Sequence, residues 1–172
     1  MKKIVVMILI ATLLLCGCSK KQQVTGPEWL LMQQEGIDEL IEFSEYMDEI
    51  YALYFTGKML PADFKNEIIL LNETYNVMRA QYEENKELHP IKPESHTFIS
   101  KKGSDAVDNL REALQKVILN AVDENGEPKS IDEVSYMYLA YRDECVKHLA
   151  EYITSIEFLM NAEEYAKESE GN

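Results

Sequence analysis

Apolar residues recur along this chain at three- and four-residue steps, the spacing that lines one face of an α-helix. Ile37, Leu40, Ile41, Ser44, Met47, Ile50 and Tyr54 keep that rhythm. Ahead of them, Thr25-Gly26-Pro27-Glu28 has the form of a capping box, in which a hydroxyl and a carboxylate satisfy the free N–H groups of a helix start. Gly57 offers a left-handed stop, so the pattern predicts a helix over 27–56 with a weak spot at Gly36. Pro61 opens the next one. Phe64, Ile68, Leu71, Tyr75, Met78 and Tyr82 alternate steps of four and three until Pro90 and Pro93 break the run, which predicts a helix over 61–87.

His96, Ile99, Gly103, Ala106, Leu110, Ala113, Val117 and Ala121 share a third stripe. It predicts one helix over 93–122 rather than a loop followed by a helix from Ser104. Gly103 costs about 1 kcal/mol relative to Ala inside a helix, but on the stripe it admits a close neighbour. Asp123-Glu124-Asn125-Gly126-Glu127-Pro128 is the clearest turn, with Asn125 or Gly126 at positive φ. Ser130-Ile131-Asp132-Glu133 repeats the capping-box form. Ile131, Val134, Tyr138, Tyr141, Cys145, Leu149, Tyr152, Ile156 and Leu159 then mark a helix over 131–166. Short connections and no strand-like alternation predict an all-α fold. The expected form is an elongated, antiparallel up-down four-helix bundle, one domain over 27–168.

The beginning of the chain breaks this pattern. Lys2 and Lys3 precede Ile4 to Leu15, a run that is apolar except for Thr12. A bilayer-spanning helix needs about 20 apolar residues, so the run is too short to span but has the length of a secretory signal core. It ends at Leu15-Cys16-Gly17-Cys18 and turns polar at Ser19-Lys20-Lys21-Gln22-Gln23. That segment resembles the lipobox of bacterial lipoprotein precursors, with Cys16 a slightly unusual occupant of its position. The resemblance implies a signal peptide over 1–17, cleavage between Gly17 and Cys18, and a diacylglyceryl group on the Cys18 thiol. Residues 18–26 would then be a tether, on a protein exported and lipid-anchored to the cell membrane or outer membrane. Two acyl chains hold more firmly than the marginal anchoring of a single chain, at about 0.8 kcal/mol per buried methylene. The resemblance covers this segment alone.

Composition narrows the function of the rest. Among 172 residues, 31 are acidic and 17 basic, a net charge of −14, and loss of Lys2 and Lys3 with the leader makes it more negative. That balance argues against a nucleic-acid partner, because phosphates are held by clustered Lys and Arg. Three Cys and three His are too few for a disulfide scaffold or a zinc cluster. A di-iron bundle needs Glu-x-x-His pairs, and the residues three before His89, His96 and His148 are Lys86, Pro93 and Cys145. The calcium-loop spacing begun by Asp123, Asn125 and Glu127 fails where Pro128 and Val134 stand for the required Gly and Glu. Glu144, Cys145, His148 and Glu151 cluster within two turns, and Glu144 with His148 could hold a metal ion in part. The simpler expectation is a packed Cys145 and a His148 paired to a carboxylate.

Ten tyrosines are the most unusual feature, and Tyr54, Tyr75, Tyr82, Tyr138, Tyr141 and Tyr152 fall on the inward stripes. Either their rings fill the core with hydroxyls at the seams, or Tyr75, Tyr138, Tyr141 and Tyr152 line a ligand cavity. With no catalytic constellation, cofactor or metal set, the expectation is a non-enzymatic, membrane-anchored structural or interaction module. It would present an acidic surface to another envelope protein. The alternative is a small-ligand- or cation-binding lipoprotein using the tyrosine-lined interior or an acidic face.

Overall fold

The structure is a computed structural model that describes residues 21–170, with side chains described to residue 162. Leu15, Cys16, Gly17 and Cys18, and with them the cleavage and lipidation positions, lie outside the described residues. Within them the chain is helical: a short α1 (Gly26–Met32) precedes four long helices, α2 (Gln34–Phe55), α3 (Pro61–Leu88), α4 (Phe98–Leu119) and α5 (Ile131–Glu170). The described residues include no helix long and apolar enough to cross a membrane.

The capping signals form as the sequence predicts. Thr25 Oγ1 accepts from the Glu28 N–H at 3.3 Å, and Glu28 Oε2 accepts from the Thr25 N–H at 2.7 Å. Ser130 and Glu133 make the same reciprocal pair at the start of α5. Gly57 and Gly126 adopt φ of 67° and 75°, closing the turns after α2 and between α4 and α5. In the second turn, Asp123 Oδ1 accepts from the N–H groups of Asn125 and Glu127 at 2.8 and 2.9 Å.

Two expected helices are interrupted. The helix expected over 27–56 breaks at Gln33, where the side-chain amide donates to the Trp29 carbonyl at 3.2 Å. That carbonyl is the acceptor the Gln33 N–H would use in a continuous helix, so the N–H turns to Leu30 O and tightens the chain. The helix expected over 93–122 is a 3₁₀ turn (Pro93–Ser95) followed by α4, whose N-cap is Thr97. Here the backbone is committed elsewhere. Val24 N–H donates to Pro90 O, Lys92 N–H donates to Val24 O, and Ser95 Oγ accepts from Gly26 N–H at 3.0 Å. His96 is therefore exposed and off the stripe, while Ala121 is buried although it lies beyond the helix. At the start of α5, Ile131 is exposed and Val134 is the first inward residue. The expected tether over 18–26 is likewise partly absorbed, since Val24 is buried and Gln22 N–H donates to Leu88 O.

The core is centred on α4, which packs on α1, α3 and most extensively on α5. Small residues make this possible. A Cβ on Gly103 would sit 2.6 Å from Leu30 Cδ2 and 3.0 Å from Ser155 Cβ, so α1, α4 and α5 meet at the missing side chain. The inward residues of α3 match the expected heptad, with Phe64, Ile68, Leu71, Tyr75 and Tyr82 buried. On α2 the buried face is wider than the expected stripe and adds Phe43 and Tyr51.

Candidate functional site

Three of the four tyrosines singled out as a cavity lining spend their hydroxyls on nearby acceptors. Tyr75 is almost fully buried and donates to the Arg111 carbonyl at 2.6 Å. Tyr138 donates to Asp48 Oδ1 at 2.8 Å, and Tyr152 donates to the Leu30 carbonyl at 3.3 Å. Tyr141 is half-buried beneath Lys116, whose Nζ lies 5.7 Å from the ring centroid. These rings stand on different helix pairs, and none lines either of the two clefts described below. Burial raises the phenols of Tyr138 and Tyr152 to about 12, so both stay protonated donors at neutral pH.

The aromatic residues concentrate instead near the turn end of α2. Tyr54 stacks on Phe64 at 3.9 Å and Tyr51 on Tyr138 at 4.8 Å, with Phe55 edge-on to Tyr51 and Tyr138. Tyr51 donates to Val117 O at 2.7 Å, near the end of α4, and Tyr54 donates to Lys129 O at 2.9 Å. Next to this cluster Arg142 donates to Asp48 Oδ2 at 2.6 Å, so Asp48 joins α2 to α5 through two partners. A cleft of about 180 Å³ lies beside it, walled by Leu40, Ile41, Leu110, Leu114, Cys145 and Leu149. Burial pushes the Cys145 thiol up to about 11, which makes it a poor nucleophile at neutral pH.

Glu144, Cys145, His148 and Glu151 do not converge on one point, and Cys145 and His148 take the simpler expected places. His148 Nδ1 lies 3.1 Å from Glu151 Oε2, whereas Glu144 turns to Lys116 at 3.7 Å and Cys145 faces the core. Among the described residues no three His, Cys, Asp or Glu side chains stand together as a metal site.

A residue outside the sequence expectations forms the most unusual polar environment. Arg111 on α4 is 7% exposed, and neither its Nε nor its Nη1 has a hydrogen-bond partner. Its guanidinium carbon lies 4.0 Å over the Tyr82 ring. The Tyr82 hydroxyl donates to Asp108 Oδ1 at 2.6 Å, and the same carboxylate receives Lys86 at 2.9 Å. Burial lowers the Arg111 pKa, while Tyr82, Tyr75, Asp108 and Glu39 help to hold the charge. The group forms part of the wall of a second cleft, of about 100 Å³, with Met32, Gln33, Gly36, Met78 and Asn85. A sequence signal exists: Ser104, Val107, Arg111, Leu114 and Ile118 form a second three-four row beside the expected stripe, and Arg111 interrupts it.

The outer face of α5 carries a different signal. Leu139, Val146, Ile153 and Met160 are exposed at successive seven-residue steps, with Tyr136 exposed one turn before them. No protein-family model matches the chain, and neither the curated proteins nor the solved structures provide a match.

Proposed function

We propose that this chain is a bacterial lipoprotein anchored through Cys18, whose helical domain is a non-enzymatic interaction module on the outer face of a membrane. The carrying observation is the exposed seven-step stripe on α5, Leu139, Val146, Ile153 and Met160. Such a stripe is the seam by which one helix accepts another, and an apolar row on an otherwise acidic molecule favours a protein partner over water. The long helices pack in the ring α2–α3–α4–α5–α2, which supports an antiparallel up-down bundle. In that arrangement the stripe lies on the outside of the bundle.

Orientation toward the membrane follows from the tether. Gln22 and Val24 are fastened to Leu88 and Pro90, so residues 18–21 alone remain to reach the lipid, at most about 14 Å when extended. The loop after α3 and the first turn of α4 belong to that end. They carry Lys92, Lys101 and Lys102 together with Phe98, the most exposed large apolar residue described. Basic side chains around an exposed aromatic ring suit an anionic head-group layer.

Two measurements test this reading. Intact mass of the membrane-extracted protein should show loss of residues 1–17 and an added diacylglyceryl group, and Cys18→Ala should leave unprocessed precursor. A photo-crosslinker at Val146 should capture an envelope protein in intact cells, and Ile153→Lys should remove the product. An unmodified Cys18 would overturn the anchor, and crosslinking to no protein would overturn the interaction role.

A further inference from the structure

We propose that the Arg111 cleft binds a small monocarboxylate, as a free short-chain acid or as the carboxyl end of a peptide. The inference is independent of the anchor and of the α5 stripe, and rests on one buried charge. An arginine on a core helix normally offers its five N–H donors to carboxylates, carbonyls or water. Arg111 has Nε and Nη1 buried without an acceptor, although unpaired buried polar groups are strongly disfavoured. The nearest acidic group of its own helix is occupied, since Asp108 already receives both Lys86 and Tyr82.

The surroundings hold the guanidinium at the cleft. Tyr82 supports one face at 4.0 Å, and the ring is itself fixed by its bond to Asp108. On the opposing helix the wall opposite Nη2 is Gly36, where even a Cβ would come within 3.4 Å. Glycine there lowers the helix propensity of α2 and leaves the approach to Arg111 open. Met32 and Met78 complete an apolar wall whose unbranched side chains can shift to admit an acceptor. Asn85 has its Oδ1 engaged by His89 Nδ1 at 2.7 Å, so the group it can offer a ligand is its amide NH₂.

Charge and size select the ligand class. Glu39 at the cleft rim and the acidic body beyond it oppose any anion, and a dianion such as phosphate more strongly than a monocarboxylate, so one guanidinium suits a single negative charge. A space of about 100 Å³ admits a carboxylate with a short aliphatic stem and little more. Planar carboxylates match the guanidinium fork, and charge-assisted hydrogen bonds are the strong ones.

The test uses the full chain in non-ionic detergent, followed by thermal unfolding with propionate, N-acetylglycine, propionamide and inorganic phosphate. Propionate or N-acetylglycine should raise the Tm saturably with a Kd of about 1 mM, reasonable for so small a ligand. Propionamide and phosphate should not. Preference between the two carboxylates distinguishes a free acid from a peptide terminus. Arg111→Met should weaken the response at least about tenfold, yet unfold no lower than the parent without ligand, because it removes an unpaired buried charge. Gly36→Leu, which fills the approach and favours the helix, should also weaken binding while Arg111 stays in place. A carboxylate effect equal to that of the amide, or one retained in both variants, would overturn the proposal. So would an Arg111→Met protein that melts well below the parent while Gly36→Leu responds normally.

Discussion

Two arginines on neighbouring helices of this protein stand in opposite circumstances. Arg142 on α5 donates to Asp48 at 2.6 Å, and Tyr138 completes the same carboxylate at 2.8 Å. Around them, Tyr51, Tyr54 and Tyr138 each combine a packed ring with a hydrogen-bonded hydroxyl. Arg111 on α4 is more deeply buried and has two nitrogens without acceptors. Both regions hold aromatic rings and charges, but only one resolves its polar groups internally. Closed networks specify a fold, whereas a buried group with unspent donors holds capacity for something from outside.

Breaking the closed region should cost the most. Tyr51→Ala removes a fully buried ring that contacts Phe55, Phe64 and Tyr138 and also strands Val117 O, so urea unfolding should register a loss of about 4 kcal/mol. Asp48→Ala leaves Tyr138 and Arg142 without their shared acceptor and should lose about 2 kcal/mol by the same measurement. Arg111→Met, in contrast, should lose none, and a loss as large as that of Asp48→Ala would erase the distinction between the regions. Gly103→Ala sharpens the contrast from the other side. Its new methyl must displace Leu30 and Ser155, and a net loss of about 1 kcal/mol, after the gain in helix propensity, would show that packing beside α1 is tight. A further effect is alkaline. Tyr138 and Tyr152 ionise at about 12 in the fold against 10.0 when free. Their stabilisation is therefore complete below pH 10 and is lost as pH rises through about 12. Ultraviolet phenolate titration of the native protein should show a late phase near pH 12 that the urea-unfolded chain lacks.

Much of this was legible in the residues. The capping boxes at Thr25 and Ser130, the glycine stops at Gly57 and Gly126, and the α3 heptad all rest on local physics that spacing reveals. What escaped depends on contacts distant in sequence. The break at Pro93–Ser95 exists because Val24 and Gly26 claim the backbone and side chains of residues 90–95. No periodicity in residues 93–122 reports that demand. The broad buried face of α4 escaped for a related reason: a helix that packs on α1, α3 and α5 is covered on more than one stripe, so Val107, Arg111 and Leu114 are buried beside the expected row. The periodicity places the tyrosines inside, but only the fold shows the hydroxyls of Tyr152, Tyr75 and Tyr138 directed to Leu30, Arg111 and Asp48 across helix pairs.

The most direct measurement is a nitrogen-resolved NMR titration of the arginine side chains with propionate. Arg111 should move saturably as its guanidinium gains an acceptor, while Arg142, already bound to Asp48, stays where it is. Equal small drifts of both with concentration, or an Arg111 signal that never moves, would mean that the cleft beside Tyr82 receives no carboxylate.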